Sequence, residues 1–244
     1  MCGRFTQQRP PSEIARIFQA DETEDGLTGE RYNVAPTDSV TVVLERDGRR
    51  VVEDQRWGLV PAWASSASGA AQLINARAET VHVTPAFRTA FARRRCIVPA
   101  DAFYEWQRRS GGKQPYAIAR RDGQPMALAG LWSVWRDSSS GEWVRTCAIV
   151  TTAASPSIAV LHDRMPVILP PAIWGAWLDP ILTGWADLRA FLRPAPDDLL
   201  TMHPVSNMVN NPRHEGPRLV EEAGPPARAP QVRQGRLWGS LLDR

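Results

Sequence analysis

Val40-Thr-Val-Val-Leu44-Glu-Arg-Asp-Gly48-Arg-Arg-Val51-Val52 carries two β-rich apolar runs around a single Asp-Gly step. Asp-Gly accepts the positive φ that a tight reversal needs, so the stretch predicts a β-hairpin. Outward from it, Tyr116-Ala-Ile-Ala and Met126-Ala-Leu-Ala flank a second Asp122-Gly123, which predicts another hairpin. Cys96-Ile-Val, Thr146-Cys-Ala-Ile-Val-Thr and Leu199 to Val205 read as further short strands. Helices are few. Ser12 to Ala20 carries Ile14, Ile17 and Phe18 at helical spacing with Ser12 as its cap. Pro156 to Val160, Pro171 to Leu178 and Ala186 to Leu192 complete the set. Regular βαβ alternation is missing. The expectation is therefore α+β: a single domain with a mainly antiparallel, barrel-like β core and a few short peripheral helices. That domain is expected over residues 1–222. The stretch 223–244, rich in Pro and Arg, is expected to be a mobile tail.

The chain has 244 residues, 43% hydrophobic and 23% charged, enough to bury a core without staples. No segment is apolar for the roughly 20 residues of a membrane-spanning helix, and the first residues lack the apolar centre of a secretory signal. The three cysteines, Cys2, Cys96 and Cys147, are odd in number and far apart. That excludes a closed disulfide framework and fits a reducing cytoplasm. Histidines and cysteines show no ligand spacing, so neither a metal nor a cofactor is expected. The net charge is only +3 and Lys113 is the only lysine among 29 basic residues. Basic contacts will thus be mostly guanidinium forks, which suit phosphate; a lysine Schiff base has one candidate.

Cys2 comes first among reactive groups. With Met1 removed, as is usual before a small residue, the chain would begin with an amine and a thiol on adjacent carbons. Such an aminothiol forms a Schiff base with an aldehyde and then closes to a five-membered thiazolidine. Alternatively, the thiol is a nucleophile with the amine as its base. In Asn75-Ala-Arg-Ala-Glu79 an extended chain puts Asn75, Arg77 and Glu79 on one face, as a polar floor with Glu79 holding Arg77 or as a solvated strand face. Glu105 stands among Phe103, Tyr104 and Trp106, where desolvation would raise its pKa for acid–base work; an outward-facing carboxylate is the other reading. His162, past a helix end beside Arg164, suits a site rim. His203 reads as structural.

Together these clusters resemble one family, the SOS-response-associated peptidase (SRAP) or abasic-site processing proteins. The resemblance rests on Cys2-Gly-Arg-Phe5, Tyr32-Asn-Val-Ala-Pro-Thr37, Trp57-Gly-Leu-Val-Pro61, Asn75-Ala-Arg-Ala-Glu-Thr80, Phe103-Tyr-Glu-Trp106, Lys113-Gln-Pro-Tyr116, His162-Asp-Arg-Met-Pro166 and His203-Pro-Val-Ser206, in that order along the chain. It implies recognition of abasic sites in single-stranded DNA, with junctions to double strand as a further form of substrate. It also implies a covalent link through Cys2 and catalytic positions at Asn75, Glu105 and His162. Arg4 and Arg77 fall on positions for the DNA backbone, Pro36 and Trp57 in motifs of the DNA-binding surface, and Arg164 is counted with them. Peptidase action, as removal of Met1 or self-release, and abasic-site lyase action are further implications. The expected setting is a monomer in a bacterial-type cytoplasm, with no membrane partner. Two other classes stay open: a cysteine peptidase acting on other proteins, with His162 as base, and a non-covalent single-stranded DNA module.

Overall fold

The computed structural model describes residues 2–110 and 112–224. The strands in chain order are β1 (Phe5–Gln7), β2 (Glu22–Thr23), β3 (Arg31–Val34), β4 (Ser39–Arg46), β5 (Arg49–Trp57), β6 (Asn75–Arg77), β7 (Arg95–Ala100), β8 (Ala102–Arg109), β9 (Gly112–Arg120), β10 (Met126–Arg136), β11 (Trp143–Ala153), β12 (Arg164–Pro166) and β13 (Leu200–Pro204). The helices are α1 (Pro11–Phe18), α2 (Arg88–Arg93), α3 (Pro156–Ala159), α4 (Trp174–Leu178) and α5 (Trp185–Arg189), with short 3-10 turns between. This is the expected α+β architecture. No helix among the described residues is long and apolar enough to cross a membrane.

The first Asp-Gly makes its hairpin. Arg46 pairs with Arg49, and Asp47 and Gly48 between them have φ of 52° and 75°, the positive pair that matches the twist of the strands. The second Asp-Gly does not. Gly123, at φ 70°, bonds back to the Arg120 carbonyl at 3.1 Å, but the strands on either side enter different sheets. β9 already has β8 on one edge and β13 on the other, while β10 lies between β7 and β11. With both edges of each strand taken, the turn hands the chain from one sheet to the other. Pro125, which lacks an amide donor, immediately precedes β10 and cannot start a ladder.

One sheet has the order β13-β9-β8-β1-β3. The other runs β12-β11-β10-β7-β4-β5-β2, and a parallel pairing of β11 with β5 closes β4, β5, β11, β10 and β7 into a ring. Its strands are buried on both faces. Val40, Val42, Leu44, Cys96, Val98, Leu128, Cys147 and Ile149 join a cluster with Phe5, Phe103 and Ile118 of the first sheet. Their neighbours Val43, Ile97, Ala129, Ala148 and Val150 pack under Ile14, Phe18, Trp177 and Leu188 from the helices. That double burial is why Val40 to Leu44 reads as a continuous apolar run rather than an alternating one.

α1 starts at Pro11, with Pro10 as its N-cap and no side-chain cap. Ser12 therefore lies inside the first turn rather than at the cap, because proline at the first helical position is already pre-set for the helix. At the other end, the Ala223 amide donates to the Pro204 carbonyl at 2.8 Å, so the chain stays attached to β13 just past 222. The rest of the tail read from the sequence, from Pro225 on, lies outside the described residues.

Candidate functional site

β1 is the short strand that carries the N-terminal motif into the first sheet. Phe5 pairs with Val34 of β3 on one side and Phe103 of β8 on the other. The Tyr104 amide donates to the Arg4 carbonyl at 2.9 Å. Continued toward the terminus, this register would set Gly3 opposite Glu105 and Cys2 opposite Trp106. From the second sheet comes β6, which runs parallel to β11 with Asn75 beside Ile149. Asn75 Nδ2 donates to the Cys2 carbonyl at 2.8 Å, a bond that ties the start of the chain to a residue 73 positions away. Asn75 Oδ1 is buried and has no hydrogen-bond partner among the described residues.

Cys2 is completely buried and belongs to the core cluster shared by the two sheets. A residue at the second position would ordinarily fray outside the core. The structure corrects this, because Gly3 and β1 feed the terminus into the seam between the sheets. Burial, and then the nearby Glu105 carboxyl, push the thiol far above its ordinary pKa, so it is held as the neutral thiol. Glu105 is 3% exposed, and burial raises its carboxyl to about 7. An acid poised there can give or take a proton at neutral pH. The inward-facing reading of Glu105 is the correct one.

His162 follows α3 and is half-buried. With Glu105 it lines one cavity of about 430 Å³, which Arg108 and Lys113 also border. Its Nδ1 lies 2.9 Å from the Arg164 amide and 2.8 Å from Asp163 Oδ1. One nitrogen cannot serve both at once. The neutral ring accepts from the Arg164 amide and keeps its proton on Nε2; the charged ring donates to Asp163. Burial, chiefly, lowers the His162 pKa and favours the neutral form.

The polar floor is half as read. Ala76 and Ala78 are buried, Arg77 and Glu79 exposed, so the alternation holds. Glu79 does not hold Arg77, however. Its two oxygens take the Arg164 fork, Nη1 to Oε1 at 2.7 Å and Nη2 to Oε2 at 2.9 Å. Arg164 Nη2 also donates to the Thr151 carbonyl at 2.6 Å. The charge of Arg164 is thus already offset, whereas Arg77 is exposed and its guanidinium makes no hydrogen bond among the described residues. The difference is one of reach: β12 brings Arg164 across β11 to the turn after β6.

Arg4 is half-buried, and its Nη1 donates to Asn33 Oδ1 at 2.7 Å and the Val209 carbonyl at 2.9 Å. Burial lowers its pKa. Asn33 is fully buried and its Nδ2 donates to the carbonyls of Asn211 and His214 at 2.9 and 3.0 Å. The sequence reading missed this residue as the holder of Arg4, although it lies inside the Tyr32–Thr37 motif. Pro36 is half-buried in the turn after β3, where Thr37 has φ 78°. A positive φ on a β-branched residue is strained; Asp38 fixes the turn by accepting the Ala35 amide at 3.0 Å. Trp57 is the clearest correction. It is fully buried, edge-on to Phe5 with centroids 4.9 Å apart, and its Nε1 donates to the Ile74 carbonyl at 3.0 Å. Its ring supports the site from behind and offers no face to a nucleic acid. His203 is structural as read, with Nε2 2.7 Å from the Val220 carbonyl.

A family model described as SOS response associated peptidase (SRAP) matches residues 1–212, a span that contains Cys2, Asn75, Glu105 and His162. The chain belongs to the SRAP family. Among its relatives, the abasic site processing protein YoqW of Bacillus subtilis is 36% identical over 223 residues, covering 91% of this chain and 99% of that protein. The abasic site processing protein YedK of Escherichia coli is 32% identical over 226 residues, covering 91% and 99%. The abasic site processing protein HMCES of Gallus gallus is 32% identical, covering 90% of this chain and 77% of that one. Of solved structures, a Bacteroides thetaiotaomicron protein superposes with a TM-score of 0.82 at 25% identity, over 91% of this chain and all of that one. The SRAP fold thus accounts for both sheets, and in this SRAP chain the seam between them is where Cys2, Asn75 and Glu105 meet.

Proposed function

We propose that this chain recognises abasic sites in single-stranded DNA and links them covalently to itself through Cys2 once Met1 is removed, shielding the lesion during repair. The observation that carries the reading is the Asn75 side chain gripping the Cys2 backbone beside a buried carboxyl poised near neutrality. The relatives named abasic site processing proteins supply the substrate class.

In this mechanism Asn75 fixes Cys2 while the open-chain aldehyde of the abasic sugar approaches. The Cys2 amine adds to the aldehyde carbon and one water leaves, giving the imine. The thiol sulfur then adds to the same carbon and its proton passes to the imine nitrogen, closing the thiazolidine. Glu105 takes and returns the protons of dehydration and closure. That role suits a thiol which burial keeps protonated until it reacts. His162, neutral with Nε2–H at the shared cavity, assists the opening of the sugar ring. Arg4 and Arg77 hold flanking phosphates, and Pro36 with its strained turn forms part of the DNA-facing surface. Elimination of the 3′ phosphate from the imine before closure accounts for a lyase side reaction. Removal of Met1 is the peptidase step. The protein acts as a monomer in the cytoplasm, at single-stranded DNA and its junctions.

Mass spectrometry of the N-terminal peptide before and after incubation with abasic single-stranded DNA tests this. The expected result is a chain beginning at Cys2 that gains the mass of the strand less one water. A chain that binds but never gains that mass is a non-covalent module, and one that cleaves peptides without DNA is a protease; either result overturns the proposal.

A further inference from the structure

Lys113 is the only lysine of the chain and stands directly opposite Arg108 in the β8–β9 pair. Like charges facing each other across an antiparallel ladder repel. Elsewhere in the molecule, crowded arginines are relieved by acids: Arg31 by Asp38 and Glu215, Arg145 by Glu24 and Glu53, Arg164 by Glu79. Arg109, next along β8, donates to Gln107 Oε1 and the Tyr116 hydroxyl at 3.0 and 2.8 Å. Among the described residues, the side chains of Arg108 and Lys113 have neither a hydrogen bond nor an ion pair. Yet both border the cavity of about 430 Å³ that holds Glu105 and His162. Two uncompensated cations thus flank the place where the chemistry is proposed.

We infer that Arg108 and Lys113 form a phosphate clamp, which together take one backbone phosphate of the strand whose lesion enters the Glu105–His162 cavity. This rests on the proposed function and adds a binding element to it, on the β8–β9 hairpin and separate from Arg4 and Arg77. Side chains directly opposite on a ladder have Cβ atoms about 5 Å apart, close enough for one phosphate to bridge them. The guanidinium fork takes two oxygens in a fixed plane, and the ammonium adds a point charge from the other strand. The anion turns a repulsive pair into an attractive trio, so the hairpin end is completed only when DNA is bound.

The test uses single-stranded DNA carrying a tetrahydrofuran abasic analogue, which has no aldehyde and so reports binding alone. Binding is followed by fluorescence anisotropy across a salt series. The double variant Arg108→Ala/Lys113→Ala should lose one phosphate contact, so the slope of log K against log[salt] should become shallower by about 0.7. Arg16→Ala, on the exposed side of α1, should leave the slope unchanged, and Lys113→Arg should retain the wild-type slope. In a second measurement, an amine-reactive acylating ester labels Lys113, the one lysine, scored by peptide mapping apart from the N-terminal amine, and bound DNA should protect it. A wild-type protein that binds the analogue, with an unchanged slope in the double variant and no protection of Lys113, overturns the clamp. A wild-type protein that binds and crosslinks no abasic DNA at all would instead overturn the function on which it rests.

Discussion

Two regions of this molecule bury polar chemistry, and they do so to opposite ends. Arg95, at the start of β7, is 2% exposed. Its guanidinium donates to the carbonyls of Phe91 and Ala92 at the end of α2, of Trp177 and Asp179 at the end of α4, and of Leu182 beyond it. It lies 5.7 Å from the centre of the Trp177 ring. These are the carbonyls a helix end leaves without partners, and a cation there also meets the negative pole of the helix dipole. Burial lowers the Arg95 pKa only to about 10, so the charge survives at neutrality. The seam around Cys2 is also buried, but incompletely satisfied. Asn75 Oδ1 has no partner among the described residues, the Cys2 thiol is pushed far up, and the Glu105 carboxyl rises to about 7. Where every polar atom finds a partner, burial makes a staple. Where desolvation outweighs what the neighbours return, burial makes a group ready to exchange protons.

The contrast can be broken most sharply at Cys2. Cys2→Ala should abolish any denaturation-resistant adduct with abasic DNA, read on a denaturing gel, while costing only about 1 kcal/mol of stability for a small buried side chain. An adduct that persists would end the aminothiol mechanism. At the other region, Arg95→Ala should cost about 3–5 kcal/mol in urea unfolding, since it leaves several buried carbonyls without donors. The adduct should still form wherever the variant is folded. A stable Arg95→Ala with lost chemistry would reverse the assignment of the two regions.

Glu105 should also show itself in stability. Its folded pKa of about 7 lies above the unfolded value near ~4.3. Between these, the folded state holds a proton that the unfolded state has released, so this group makes stability fall as pH rises from about 4 to about 7. The gain of Glu105→Gln over wild type should therefore grow across that window by on the order of 2–4 kcal/mol; urea titrations at its two ends measure it. A constant difference would mean Glu105 is not desolvated. The smallest effect is expected at Glu79, whose side chain is half-exposed in its pair with Arg164. Glu79→Ala should change stability by less than about 1 kcal/mol and strengthen DNA binding, because it frees the Arg164 fork. Weaker binding in an anisotropy titration would show that the pair, rather than the free cation, shapes the surface.

What could be read in the sequence divides along the same line. Asp47-Gly48 fixes its hairpin through local backbone preference, and so was legible. Asp122-Gly123 has the same local chemistry, but its outcome depends on which strand edges are already occupied, and no short window holds that. The alternation of Asn75 to Glu79 gave the faces correctly, yet not that Arg164 rather than Arg77 would take Glu79, because β12 arrives from 85 residues away. Glu105 among aromatics announced its own desolvation. Cys2 did not announce its burial, since a second residue normally frays and only the pairing of β1 between β3 and β8 pulls it inward. Trp57 lay in a motif associated with the DNA-facing surface, and it is the packing on Phe5 that turns it to the core.

The central claim is that Glu105 moves protons for a buried Cys2. The direct measurement is the rate of adduct formation with abasic single-stranded DNA against pH, for wild type and Glu105→Gln. The account predicts an ionisation near pH 7 in the wild type that is absent from the variant, with the rate reduced by roughly 10²–10⁴-fold and binding to the abasic analogue little changed. Equal rates and superimposable pH profiles would contradict it and leave Glu105 as a buried structural carboxyl.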